Sequence, residues 1–339
     1  MIFTKAMSIL YALPSLTLLG RLGVLCLMVG AAAPSATLSA GQELQEQAEQ
    51  IARAAELMQK ARQAIGRTTA GRSLSAAARL RIFSNYISVQ SPTKIVSKKK
   101  VLGGRMEVDF SFPDKFRRRI SKQTLSGRGY SYTETVNGER AWRNPPPPVI
   151  SSYRDSRVID VSDIERSREK YAEDARQQIA FYTLGWLLET PPSLPAEFIY
   201  GGQVRAEDGL LEAIIVKGPN GFRPVILIDP TTFLPVSLLV AFVEAKRENV
   251  LVEVATVSRQ FLRDTYARAR REREARRTPA QRRELEWRFS DHRNVDGLVL
   301  PHRITTLIDG EVQEEMTVNH FRVNHQIDQK RFEGQPEVR

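Results

Sequence analysis

The sequence predicts a mainly β, α+β protein: one long antiparallel sheet curled around an apolar interior, with two helices against it. Three observations carry that expectation. Met106, Val108, Phe110 and Phe112 alternate with Glu107, Asp109 and Ser111, the pattern of a strand with one dry and one wet face. About eleven such strands, punctuated by turn residues, imply antiparallel pairing in a single sheet. Two longer stretches, at 42–66 and 162–186, instead repeat their apolar residues at helical spacing.

In chain order, the first forty residues carry only two charges, Lys5 and Arg21. The apolar run 22–33 is too short for the ~20 residues that span a bilayer, and it suits the core of a signal peptide. Small residues follow, with Thr37 and Ser39 in the small-x-small arrangement, so cleavage is expected between Ser39 and Gln42. The lone Cys26 would leave with residues 1–40, so the mature domain, 41–339, would lack disulfides and thiolate chemistry.

A first helix is expected over 42–66, with Leu44, Ala48, Ile51, Ala55, Met58 and Ile65 on one stripe, and Gly66 and Gly71 at its end. Strands are expected at 80–90, 106–112, 116–123, 129–136 and 140–142, with Asn137-Gly138 as a two-residue hairpin turn. The four prolines 145–148 form an extended segment. A second helix begins at the capping box of Ser162 and Glu165. It carries Ile164, Tyr171, Ala175, Ile179, Tyr182 and Trp186 on one face and stops at Pro191-Pro192. Strands resume from 197 and run to 250–258, then close the domain at 285–292, 300–309 and 312–323, the last two joined by Asp309-Gly310.

The net charge of +11 is concentrated. Residues 259–283 hold ten arginines against Asp264, Glu272 and Glu274 and read as a basic helical insertion. Arg268, Arg270, Arg271, Arg273, Arg276 and Arg277 could face an anionic membrane surface, or could form a solvated arm paired with those acids. Phe261 and Tyr266 are the only aromatic residues there, too few for base stacking, and nucleic acid is not an expected partner.

No catalytic motif is present: there is no Gly-x-Ser-x-Gly elbow, P-loop or His-Glu-x-x-His. Gly127-Arg-Gly129 reads as a turn. His292, His302, His320 and His325 lack zinc-like spacing, so neither a metal nor another cofactor is expected. The aromatic residues are more telling, because Phe110, Phe112, Phe116, Tyr130, Tyr132, Trp142, Tyr182 and Trp186 exceed what a thin sheet hides by itself. They form either an ordinary core or the wall of a cavity that holds an acyl chain.

Several segments taken in order resemble the lipoprotein carriers of the LolA and LolB type. These are Phe112-Pro-Asp-Lys-Phe-Arg117, Val136-Asn-Gly-Glu-Arg-Ala-Trp142, Leu227-Ile-Asp-Pro-Thr-Thr-Phe-Leu-Pro235, Asp291 through Pro301, and Val323-Asn-His-Gln-Ile-Asp328 followed by Phe332 and Pro336. The resemblance covers about 42–336 and leaves the insertion outside. It departs from the carriers at Phe112, where they place a basic residue, and it has no lipobox. It implies an incomplete antiparallel β-barrel of about eleven strands with an N-terminal helix and a helical lid, whose cavity takes acyl groups. On this reading Met106, Val108, Phe110 and Phe112 line the cavity, with Tyr182 and Trp186 covering it. The expected function is a periplasmic, non-enzymatic carrier or sensor of lipoprotein acyl chains or lipid. The alternative is an envelope module that contacts a membrane or protein partner through the insertion.

Overall fold

A computed structural model describes residues 40–66, 73–91, 94–144, 161–206, 209–244, 249–252 and 281–333. The expected leader lies outside the described residues, apart from Ala40, and so does the insertion up to residue 280.

Helix α1 (Ala40–Ala64) buries Ala54, Leu57, Met58 and Ala61, and Ile65 just beyond it. This i, i+3, i+4, i+7 stripe is rotated from the expected one. Ala48 and Ala55 are exposed, as is Leu44 at 69%, because only the later turns of the helix reach the sheet. The helix ends as expected at Gly66, whose φ of +81° suits a C-terminal cap. Only glycine fits there, since a Cβ would lie 1.8 Å from the Gly297 carbonyl oxygen. The Val299 amide donates to the Ile65 carbonyl at 2.9 Å and docks the helix end on the sheet.

The strands are β1 (Ser73–Ser91), β2 (Lys94–Ser111), β3 (Lys115–Gln123), β4 (Gly129–Asn137), β5 (Arg140–Asn144), β6 (Glu197–Ala206), β7 (Gly209–Lys217), β8 (Val225–Ile228), β9 (Pro235–Glu244), β10 (Asn249–Val252), β11 (Gln281–Val295), β12 (Leu298–Ile308) and β13 (Glu311–Val323). They form one open sheet in the order β5-β4-β3-β2-β1-β13-β12-β11-β9-β8-β7-β6. All pairs along this path are antiparallel, while β10 joins β1 in parallel. The thirteen strands include the short β5, β8 and β10, each of which pairs.

Two turns follow from local chemistry. Asp309-Gly310 has φ of 51° and 79°, and Asp296-Gly297 has 50° and 88°, the double positive φ of a type I′ hairpin. The β4–β5 turn sits one residue later than expected: Asn137 pairs with Arg140, leaving Gly138-Glu139 as the loop.

Helix α2 (Val161–Leu187) already includes Ser162, so that residue lies within its first turn rather than capping it. The helix ends before the two prolines, at Leu188 in a left-handed conformation (φ 55°), whose amide donates to the Leu184 carbonyl at 3.2 Å. Residues 172–178 are exposed or half-buried, whereas 182–188 are buried on every side. At Gly185 a Cβ would meet the Phe289 ring at 2.3 Å, so this end of the helix enters the interior. The core joins this end of α2 to Leu74, Phe110, Ile226, Leu238, Phe289, Leu300 and Val318 from strands along the whole sheet.

The basic insertion ends earlier than expected. Gln281, Arg282 and Arg283 belong to β11 and pair with Glu244, Val243 and Phe242, so the final residues of 259–283 are strand and not helix. No described helix is long and apolar enough to cross a membrane.

Candidate functional site

The interior divides into a filled half and an open half. In the filled half, Phe110 stacks on Phe112 with ring centroids 5.7 Å apart, tilts against Phe116 at 4.9 Å and meets the edge of Trp186 at 5.8 Å. Trp186 in turn packs at 5.2 Å on both Tyr182 and Phe321. Val108 is fully buried and belongs to the same cluster.

In the open half, the half-buried part of α2 stands away from the sheet and leaves a cleft of about 1150 Å³. Its floor carries Ile82 on β1, Met106 on β2, Ile120 on β3, Leu285 and Trp287 on β11 and Ile308 on β12, interrupted by polar residues of β12 and β13. Phe181 and Tyr182 project from α2 as its roof. Exposed Asn85, Lys99, Asp174, Asp309 and Glu311 ring the mouth.

Two charged side chains lie deeper in the wall. Arg118 sits between Phe116 and Ile120 on the inward face of β3 and is 5% exposed. Its Nε donates to Glu134 Oε2 at 2.9 Å, and its Nη2 donates to the same carboxylate and to Gln178 Oε1 at 2.6 Å. Nη1 donates to the Tyr182 hydroxyl at 3.3 Å. Burial works against the charge, but the Tyr182, Glu134 and Tyr132 oxygens outweigh it and hold the guanidinium pKa above its usual value. Burial likewise pushes the Tyr182 and Tyr132 phenols up, with Arg118 opposing.

The second is Glu314 on β13, which aligns across the ladders with Ile82 on one side and Thr306 on the other, both of them cleft residues. Burial raises its carboxyl pKa, and the more distant charges of Arg118 and Lys122 offset only part of that. Among the described residues no hydrogen bond or ion pair reaches it.

Of the residues singled out in the sequence, Met106 and Tyr182 line the cleft. Val108, Phe110 and Trp186 do not, being fully packed in the filled half, and Phe112 packs half-buried on the edge of that cluster. Sequence reasoning missed Arg118 and Glu314. The signal was there, because Arg118 occupies an inward position of the Phe116–Ile120 alternation and Glu314 shares the face of Met316 and Val318.

A second polar cluster lies where β1, β2 and the C-terminal segment meet. Ser75 Oγ is 2.5 Å from Asp109 Oδ1 and 3.1 Å from His325 Nε2. This is not the order of a hydrolytic triad. The serine sits between acid and imidazole and donates to Asp109, and the buried His325 Nδ1 has no partner to orient the ring. Asp109 also accepts from Arg117 at 3.3 Å and Arg331 at 3.1 Å, so the cluster ties the C-terminal segment to the sheet. His302 is buried edge-on to Phe321, and among the described residues no three His, Cys, Asp or Glu side chains are grouped to hold a metal.

No protein-family model matches the chain, and no curated protein matches it. Among solved structures its fold neighbours are LolA-superfamily and lipoprotein-sorting domains. An outer membrane lipoprotein-sorting protein domain from Vibrio parahaemolyticus is 9% identical, covering 83% of this chain and 97% of its own, with a TM-score of 0.39. A LolA superfamily protein from Nitrosomonas europaea is 12% identical with the same coverage and a TM-score of 0.41.

Proposed function

We propose that the protein is a periplasmic, non-enzymatic carrier or sensor that holds acyl chains of lipids or lipoproteins in the cleft between α2 and the sheet. The observation that carries this reading is the cleft itself. At about 1150 Å³, with apolar residues from five strands on its floor and an open mouth, it is larger than most small-molecule pockets, which run to ~1,000 Å³. The short motifs at 112–117, 136–142 and 227–235 that resemble the lipoprotein carriers support the same reading.

Each buried methylene contributes ~0.8 kcal/mol, so ten of them give about 8 kcal/mol before association costs. Lost translational and rotational freedom removes at least ~4 kcal/mol, which leaves an affinity near the millimolar range for one short chain. Tighter binding needs a second chain or a polar contact. Native mass spectrometry of protein isolated from the periplasm, beside titration with a fluorescent acyl probe, tests the proposal. Co-purified lipid and saturable probe binding are expected; an empty protein that binds no probe overturns it.

The arginine-rich segment, including Arg268, Arg270, Arg271, Arg273, Arg276 and Arg277, lies outside the described residues. Its charge supports a further part of the reading, contact with anionic membrane, worth ~1 kcal/mol per basic residue near the surface. Deleting 259–280 should then weaken binding to anionic vesicles at low salt and change little at high salt. Unchanged vesicle binding leaves only a solvated arm.

A further inference from the structure

We infer that the cleft selects an amphiphile whose polar end is an ammonium group, which the Glu314 carboxylate receives. The inference rests on the carrier reading and names its ligand class. It starts from the charges that the cleft leaves available.

Arg118 is the obvious candidate to receive an anionic headgroup, but its guanidinium is already occupied by Glu134, Gln178 and Tyr182. Arg283, at the mouth, donates to Asp309 at 2.8 Å. Lys99 is exposed at the rim. Among the described residues, the cation left to meet a fatty-acid carboxylate or a phosphate is therefore Lys99 at the rim, and none is left deeper in the cleft.

Glu314 is the reverse case. It lies in the cleft wall between Ile82 and Thr306, and among the described residues nothing donates to it. The side chain is half-buried and lines the cleft, so a ligand cation there supplies the partner that no described residue does. Partial burial also raises its carboxyl pKa. Among the described lining residues, Asp174, Asp309, Glu311 and Glu314 stand against Lys99, Arg118 and Arg283, an excess of one carboxylate in a chain whose net charge is +11. An acyl tail on the floor formed by Ile120, Leu285 and Ile308 would place its headgroup toward this wall.

The test uses the full-length chain and a neutral fluorescent acyl probe, displaced by dodecylamine or by dodecanoate, both below their micelle concentrations. The amine should displace the probe at about tenfold lower concentration than the acid, equivalent to ~1.4 kcal/mol. Glu314→Gln should erase that preference, whereas Glu107→Gln, exposed on β2 and outside the cleft lining, should retain it. Equal or better displacement by dodecanoate overturns the inference, as does a preference that survives in Glu314→Gln; either result leaves the carrier reading standing. Failure of the wild type to bind the probe at all removes the carrier reading, and this inference with it.

Discussion

Replacing Arg118 by methionine removes a cation in the wall that is bonded to both the sheet and α2. The stem of the side chain is kept, but Glu134 loses its two guanidinium contacts and Gln178 and Tyr182 lose one each. The Glu134 side chain is only 13% exposed, so its carboxylate becomes a buried charge without compensation. Breaking a buried pair from one side costs about 3–5 kcal/mol, whereas replacing both partners with apolar residues is often neutral or better. Arg118→Met should therefore lower stability by about 3–5 kcal/mol, and the double variant Arg118→Met/Glu134→Leu should recover most of that loss. Urea unfolding followed by the fluorescence of Trp186 and Trp287, both packed on Tyr182, reads the change. A single variant that loses less than about 1 kcal/mol would refute the reasoning, as would a double variant whose loss equals the sum of the two singles.

Phe110→Ala should cost about 3–5 kcal/mol in the same assay, because it empties the filled half. Its affinity for an acyl probe should be unchanged, since Phe110 does not reach the cleft; a loss of probe binding without a loss of stability would contradict that division. Glu314→Gln should stabilise the protein at neutral pH. The folded carboxyl pKa is raised, so the wild type is most stable below the unfolded value near 4.5 and loses stability as the pH rises through the folded value. Melting temperatures should coincide at acid pH and diverge in favour of the variant toward pH 7; a variant less stable than wild type at pH 7 would count against this account. Gly66→Ala combines a positive φ with a Cβ 1.8 Å from the Gly297 oxygen, and should cost at least about 1–3 kcal/mol, seen as faster amide exchange in α1.

Much of the sheet was legible because strand alternation and turn chemistry are local. Met106, Val108 and Phe110 all face inward as their spacing predicts, and Asp309-Gly310 makes the turn that its residue types favour. What alternation cannot report is how far an inward face is filled. Phe110 and Met106 share one face of β2, yet one is enclosed by aromatic rings and the other borders open space. The difference comes from where α2 dips into the interior, a long-range contact between Gly185 and Phe289. Arg118 was hidden for another reason. Three arginines stand in a row at 117–119, and only the pleat separates the buried member from its neighbours. The parallel pairing of β10 with β1 leaves no local trace either, because its partners lie more than 150 residues apart in sequence.

That pairing makes β1 a fork. Up to Ile82 the strand is bonded to β13, and from Tyr86 it is bonded to β10. Phe83, Ser84 and Asn85, between the two, are held by β2 on one side and by no described strand on the other. These three residues are also part of the cleft wall. The wall therefore contains a seam, where among the described strands no rung ties β10 to β13 and the sheet is continuous only through β1 and β2. On the carrier reading proposed above, that seam is where the container is least tied together, away from the packed half around Trp186.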